Sequence, residues 1–259
     1  MLLGLIGSAL AGCSGAVSEI EPAPAPTGIS PALAATSSPV AALTASPPPT
    51  PDPIATKYGF PAEFEPGARY LFYLHGKIIE DQGLPAVSAE FGEYLYEDIL
   101  DSLASYGFVV ISEQRPRDAD GWEYARRVVR QIADLTEAGV PPGNITVVGA
   151  SKGAAIAAVI SYMVGDPEVN YVLLGACHPT TIDDLARQGV VLSGLVLAIR
   201  DEADTEYSGS CEKLFALSEG EGLGRHEELV LQVGTGHGIL YQPLAEWVDP
   251  TVRWANHGW

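Results

Sequence analysis

The chain has 259 residues and a formal charge of −19, because 33 acidic side chains outnumber 14 basic ones. This charge argues against a broad basic surface for nucleic acid or for anionic lipid head groups, so we expect no nucleic-acid partner. Hydrophobic residues make up 47% of the chain. The roughly 200 residues from Tyr58 onward are enough for one α/β domain.

Residues 1–13 form an apolar run, MLLGLIGSALAGC. The run is too short to cross a bilayer, which takes about 20 residues, and it is typical of a secretory signal. Its last residues, Leu10-Ala11-Gly12-Cys13, resemble the lipobox of bacterial lipoproteins. In that family the cysteine is acylated after export and becomes the mature N-terminus. The resemblance therefore implies lipidation of Cys13, export to the bacterial cell envelope and a lipid anchor in a membrane.

Pro, Ala, Ser and Thr dominate residues 14–57, and the first aromatic residue of the chain is Tyr58. Such a segment buries too little apolar surface to offset its chain entropy. We therefore predict a disordered linker over 14–57 and a folded domain over 58–259.

Short runs that are apolar on nearly every residue alternate with helix-like stretches along the domain. Such runs indicate strands of a parallel sheet covered by helices on both faces, and they lie at 70–75, 107–112, 145–149, 171–175, 194–199 and 229–234. Helices are predicted at 92–105, 121–138, 152–164 and 243–248. The alternation predicts the α/β class, with a doubly wound, mostly parallel sheet in a single domain.

The third predicted strand runs into Gly149-Ala150-Ser151-Lys152-Gly153 and then into an alanine-rich helix. The pattern G-x-S-x-G at a strand-to-helix turn is typical of a nucleophile elbow, which exposes a serine hydroxyl above the sheet. The same residues also resemble the phosphate turn of short-chain dehydrogenases. That family has a third glycine where this chain has Ala155, and its turn follows the first strand. A third interpretation is a tight joint in which Ser151 caps the helix.

The nucleophile interpretation requires an acid and a histidine after later strands, and both are present. Strand 194–199 is followed by Asp201 and Asp204, and strand 229–234 by His237. The chain order serine, acid, histidine is the order of the α/β-hydrolase triad. Both aspartates are within reach of the site by loop length, and Asp183 or Asp184 after the preceding strand is a remoter choice.

From about Tyr70 to Trp254 the chain resembles a compact member of the α/β-hydrolase superfamily. The motifs that carry the resemblance are Tyr73-Leu74-His75-Gly76, Gly149-Ala150-Ser151-Lys152-Gly153, Asp201-Glu202-Ala203-Asp204 and Gly236-His237-Gly238. The antiparallel strands that open the fold in that family are not evident before Tyr70, and no long cap insertion is visible. The resemblance therefore implies a trimmed sheet without a large cap.

The resemblance also implies roles for individual residues. Ser151 is the expected nucleophile, His237 the general base, and Asp204, favoured over Asp201, the acid that orients the imidazole. Backbone N–H groups would stabilise the oxyanion. The family's pattern assigns these donors to Lys152, which follows the nucleophile, and to the turn after strand 70–75, where Lys77 is the expected donor with Gly76 close by. His75 is expected to hold that turn by hydrogen bonds.

Cys177 and Cys211 are an even pair in a chain that we expect to be exported. A disulfide between them and two buried free thiols are both open at this stage.

The sequence thus predicts a serine hydrolase that cleaves an ester or related acyl bond in a small-molecule substrate through an acyl-enzyme. We expect it to need neither a metal nor an organic cofactor. Two alternatives keep the same fold: a binding lipoprotein without catalysis, and an acyltransferase with the same triad.

Overall fold

Two sheets are present in the computed structural model, which describes residues 57–256. The described part of the chain contains the strands β1 (Arg69–Leu74), β2 (Val87–Ser88), β3 (Gly92–Glu93), β4 (Phe108–Ile111), β5 (Ile145–Ala150), β6 (Asn170–Leu174), β7 (Gly194–Asp201) and β8 (Leu223–Leu231). Strands β2 and β3 pair in an antiparallel hairpin. The other six form one sheet in the order β4-β1-β5-β6-β7-β8, and every pair in it is parallel.

Helices lie between successive strands of the parallel sheet, and the last helix follows the final strand. They are α1 (Lys77–Gln82), α2 (Tyr96–Ser105), α3 (Gly121–Glu137), α4 (Lys152–Val164), α5 (Pro179–Arg187), α6 (Glu212–Ser218) and α7 (Ala245–Ala255). Two 3₁₀ helices lie at Pro142–Asn144 and Gly236–Tyr241. A parallel sheet needs such crossovers, because the chain must return to the same edge of the sheet before each new strand begins.

The strand order reverses between β1 and β5. The chain leaves β1 in one direction toward β4 and then returns to build β5 to β8 on the other side. Helices therefore cover both faces of the sheet, and ligands of such sheets bind outside the carboxyl ends of the strands at the point of reversal.

Alternate residues of the strands enter two separate cores. In β1, Tyr70, Phe72 and Leu74 pack with α3, α4, α5 and α6 on one face, whereas Leu71 and Tyr73 pack with α1, α2 and α7 on the other. This period of two follows from the pleat of a strand. Because both faces are covered, the strands are apolar on nearly every residue, and the predicted doubly wound parallel sheet is confirmed.

Most predicted elements match the structure within a few residues, and three differ. β8 spans Leu223–Leu231 and not 229–234. α2 begins at Tyr96 and not at residue 92, because residues 92 and 93 pair in the β2–β3 hairpin. α7 extends to Ala255 and carries Pro250 inside it, whereas the prediction ended the helix before that proline.

The predicted signal, lipobox and linker up to residue 56 lie outside the described residues, as does His257. Within residues 57–256, helices are too short or too polar to span a bilayer. Residues 57–68, the described part of the chain before β1, contain no strand.

Candidate active site

Ser151 stands between the end of β5 and the start of α4, with φ of 54° and ψ of −117°. A residue with a side chain rarely adopts such a positive φ, and strained backbone of this kind concentrates at functional sites. The Ser151 N–H donates to the Leu174 carbonyl at the end of β6 (2.9 Å). The strained turn is therefore held by the sheet, as the nucleophile-elbow interpretation requires.

The two glycines of the motif allow the strand and the helix to approach each other. A Cβ atom at position 149 would lie 2.3 Å from the Gly153 carbonyl oxygen, and one at position 153 would lie 2.0 Å from the Leu74 carbonyl oxygen. Both obstacles are backbone atoms of packed elements, so neither can move aside cheaply.

Gly153→Ala is therefore expected to destabilise the protein by at least about 3 kcal/mol, since overpacking a core costs up to about that much even where side chains can adjust. For a domain of this size, the melting temperature would fall by about 6–12 °C. Thermal unfolding followed by circular dichroism measures the shift. Gly67→Ala is the matched control, because its Cβ would meet nothing within 4 Å; equal melting temperatures for the two variants would contradict the expectation.

His237 and Asp204 are paired beside the elbow. His237 is the second residue of the 3₁₀ helix Gly236–Tyr241, which follows β8. Its Nδ1 lies 2.6 Å from Asp204 Oδ2. The other carboxylate oxygen of Asp204 accepts from the Tyr207 N–H (3.1 Å). Both side chains are buried. The imidazole is thus held in one orientation, with Nε2 as the ring nitrogen free of the carboxylate.

The charged form of Asp204 is favoured despite its burial. Burial acts to raise the pKa of this carboxyl, but the hydrogen bond and charge of His237, with further hydrogen bonds from Ser208 and the Tyr207 backbone, hold the pKa below its usual value. A carboxylate that remains ionised at neutral pH is the form that stabilises an imidazolium.

Asp201 supports the histidine loop without contacting the imidazole through a hydrogen bond. Its Oδ2 accepts from the N–H groups of Thr235 (2.8 Å) and Gly236 (3.0 Å), and its side chain is fully buried. Of the two aspartates left open by the sequence, the structure therefore brings Asp204 to His237 and uses Asp201 to tie the preceding backbone. Asp183 and Asp184 lie on α5, where they are exposed and pair with Lys213 and Arg187.

Gly175 connects the surroundings of Ser151 and His237. It directly follows Leu174, whose carbonyl binds the Ser151 N–H, and a Cβ on Gly175 would lie 3.1 Å from His237 Cε1. Within the described residues no hydrogen bond joins Ser151 Oγ to His237. Such contacts are often long in unliganded enzymes and tighten when substrate binds.

Lys77 and Lys152, whose backbone N–H groups are the predicted oxyanion donors, occupy the same position in two different helices. Lys77 is the first residue of α1 and Lys152 the first residue of α4, and the N–H groups of a helix's first turn have no acceptor within the helix. Gly76, which precedes α1, faces the elbow, because a Cβ there would lie 3.6 Å from Ser151 Cβ. Both backbone donors thus begin helices on either side of the strand reversal.

Neither lysine directs its ammonium group to the serine. Lys77 Nζ pairs with Asp81 on the exposed face of α1. Lys152 Nζ lies 2.5 Å from Glu80 Oε2 and donates to the Ala119 carbonyl (2.9 Å). Only the backbone of these two residues is available to an oxyanion.

A charge cluster of the buried Glu80 and Arg115 with the partly exposed Lys152 lies behind the turn after β1. Arg115 Nε and Glu80 Oε1 are 2.6 Å apart, and both side chains are fully buried. The Arg115 guanidinium also donates to the His75 carbonyl. Glu80 and Arg115 both follow strand ends, where ligands of open α/β sheets usually bind. The structure instead uses them to fix the turn.

His75 holds the same turn as a neutral imidazole. Its Nδ1–H donates to the Gly76 carbonyl (2.8 Å), and its Nε2 accepts from the Arg115 N–H (2.8 Å). Burial and the nearby Arg115 charge hold the pKa of His75 well below its usual value. This is the structural role that the sequence predicted for His75.

Two aromatic residues beside the histidine were not identified from the sequence. The ring centroids of Tyr207 and His237 are 5.0 Å apart, and those of Phe91 and His237 are 6.3 Å apart. Gly238 packs on the Phe91 ring. Phe91 lies on the β2–β3 hairpin, far from the triad motifs in sequence, so no local pattern identifies it.

Cys177 and His178 line the cavity beside Ser151, whereas His226 does not. Cys177 and Cys211 are joined by a disulfide, with Cα atoms 5.2 Å apart. His178 begins α5 and its Nδ1 bonds with the Thr180 hydroxyl (2.8 Å). His226 is exposed on β8. Among residues 57–256, no group of three or more His, Cys, Asp or Glu side chains is placed to hold a metal ion.

Solved structures with a similar fold include proteins that are named as ester hydrolases. SOBER1 from Arabidopsis thaliana is 13% identical with a TM-score of 0.51, and the match covers 73% of this chain and 98% of that one. An acetyl ester-xyloside bifunctional hydrolase from Caldicellulosiruptor lactoaceticus is 13% identical with a TM-score of 0.53, and the match covers 77% of this chain and 86% of that one. Esterase PE8 is 15% identical with a TM-score of 0.50, and the match covers 77% of this chain and 98% of that one.

No protein-family model and no curated protein sequence matches the chain. The similarity to known proteins is therefore one of fold. Together with the parallel sheet and its strand order, it shows that the described residues adopt the α/β-hydrolase fold, with helices on both sides of six strands.

Proposed function

We propose that the protein is a serine hydrolase that cleaves an ester or related acyl bond, with Ser151 as nucleophile, His237 as general base and Asp204 as the acid. The observation that supports this most strongly is the buried His237–Asp204 pair (2.6 Å) beside a serine held at positive φ. Ester hydrolases among the proteins of similar fold also support it.

In the first half of the reaction, His237 Nε2 accepts the Ser151 Oγ proton while Oγ bonds to the substrate's carbonyl carbon. The Lys152 and Lys77 N–H groups stabilise the negative charge that forms on the carbonyl oxygen. When the carbon–oxygen bond to the alcohol breaks, His237 returns the proton to the alcohol. Water then attacks the acyl-enzyme in the same way, and the acid is released with Ser151 restored.

We propose, second, that the protein is exported and anchored by a lipid on Cys13. The support is the lipobox-like Leu10-Ala11-Gly12-Cys13 and the Pro-rich segment that follows it. Intact-mass analysis of membrane fractions tests this. A mass that shows cleavage before Cys13 plus acyl chains is expected, and an unmodified, uncleaved N-terminus would contradict it.

Labelling with a fluorophosphonate probe tests the hydrolase directly. We expect the folded, full-length protein to form one covalent adduct, which peptide mass spectrometry assigns to Ser151, because an activated serine attacks the phosphorus and displaces fluoride. Heat-denatured protein is the control and should not react, since its serine has lost His237.

A folded protein that the probe does not label would favour the binding lipoprotein without catalysis. Labelling combined with transfer of the acyl group to an added alcohol or amine, in preference to water, would favour the acyltransferase.

A further inference from the structure

A cavity with a volume of about 100 Å³ opens beside Ser151. Residues of α4 and α5 and one residue of α6 line it. Its walls include Ala155 and Ala158 of α4, Ile182 and Leu185 of α5, and Leu214 of α6. A second cavity, of about 350 Å³, is lined by His237 and Phe91 but not by Ser151. Tyr207 lines both cavities.

The chemistry of the proposed reaction assigns one half of the substrate to each cavity. The acyl carbon bonds to Ser151 Oγ, so the acyl chain extends from the serine. The alcohol receives its proton from His237 and must leave on the histidine's side. The cavity at Ser151 is thus the place of the acyl chain, and the cavity at His237 is the exit of the alcohol.

The walls of the cavity at Ser151 favour an uncharged aliphatic chain. Leu173, Ala158 and Leu214 in its wall are almost completely buried. Lys152 and His178 also line the cavity. The Lys152 ammonium group is held by Glu80 and the Ala119 carbonyl, and His178 Nδ1 bonds with the Thr180 hydroxyl. A charged acyl group would have to compete with these partners to offset the cost of its burial.

The cavity's volume sets an upper limit on chain length. An apolar cavity of about 150 Å³ accommodates benzene, with six carbons, so about 100 Å³ holds a shorter chain. We propose that the cavity formed by α4, α5 and α6 beside Ser151 binds the acyl group and restricts it to short aliphatic chains, about two to four carbons. This inference rests on the proposed hydrolase function.

The chain-length dependence of kcat/KM tests the inference. With p-nitrophenyl acetate, butyrate, hexanoate and octanoate, the leaving group is constant. We expect kcat/KM of the full-length protein to rise toward butyrate by up to about fourfold per methylene, the gain from burying one such group, and to fall at least about tenfold by octanoate. A profile that peaks at octanoate would overturn the proposal.

Two substitutions in the cavity wall should change the preferred length of the acyl chain in opposite directions. Leu185→Ala opens the cavity, and the octanoate-to-butyrate ratio of kcat/KM should rise about tenfold. Ala155→Leu fills it from the half-exposed face of α4, and the butyrate-to-acetate ratio should fall about tenfold. Ratios within one variant are independent of the fraction of folded protein. Leu217→Ala is the matched control, because Leu217 is 45% exposed on α6 and lies outside the cavity.

The outcomes separate the two proposals. If the fluorophosphonate probe does not label Ser151 and no ester is hydrolysed, the hydrolase function and the acyl cavity both fail. If Ser151 is labelled and esters are hydrolysed, but Leu185→Ala and Ala155→Leu keep the wild-type ratios, only the acyl cavity is overturned.

Discussion

Ser151→Ala is expected to lower kcat for p-nitrophenyl butyrate by about a millionfold, the loss seen when a triad nucleophile is removed. The substitution removes the atom that bonds to the acyl carbon. The Ser151 side chain makes no capping hydrogen bond to α4, so we expect little change in the melting temperature. Release of p-nitrophenolate, followed at enzyme concentrations high enough to detect the residual rate, measures the effect.

Ser105→Ala is the control for this loss. Ser105 is an exposed serine at the end of α2, where its hydroxyl donates to the Ser102 carbonyl (2.6 Å). Its replacement should leave kcat unchanged. If Ser151→Ala retained more than about one hundredth of wild-type kcat, far above the residual rate of a triad without its nucleophile, another group would have to be the nucleophile.

Asp204→Asn is expected to lower kcat by about ten-thousandfold, because an amide that donates to His237 Nδ1 stabilises the wrong tautomer of the imidazole. Nε2 would then carry the proton and fail to accept one from Ser151. The full pH profile of kcat should be measured, so that the loss is not mistaken for a shifted optimum.

Asp201→Asn is the matched comparison, three residues earlier in the same segment. It keeps one oxygen that accepts from the Thr235 or Gly236 N–H, and it does not touch the imidazole. We expect a lower melting temperature and a much smaller loss of kcat than for Asp204→Asn. The reverse order of the two losses in kcat would identify Asp201 as the acid.

The nucleophile turn was predictable from the sequence because its information is local. The strand, the G-x-S-x-G motif and the alanine-rich helix are contiguous. The structure shows why glycine is needed at positions 149 and 153, because a Cβ atom at either would clash with backbone. The order of Asp204 and His237 along the chain was likewise predictable, because each follows a strand of the same sheet.

The parts that were missed depend on contacts between distant segments. Phe91 reaches His237 from a two-stranded hairpin, and Glu80 meets Arg115 across 35 positions of the chain. β8 was misplaced for a different reason. It lies at the edge of the sheet and its first half, around Arg225 and Glu227, is exposed, so it lacks the apolar run that marks a covered strand.

The charge cluster of Glu80, Arg115 and Lys152 behind the turn after β1 also affects the electric potential at the site. Arg115 and Lys152 carry two positive charges and Glu80 one negative charge, so the cluster has an excess of one positive charge close to Ser151. The whole chain carries −19. An anionic molecule is therefore repelled as it approaches, whereas the excess positive charge of the cluster favours negative charge that develops at Ser151 only after a neutral ester has bound.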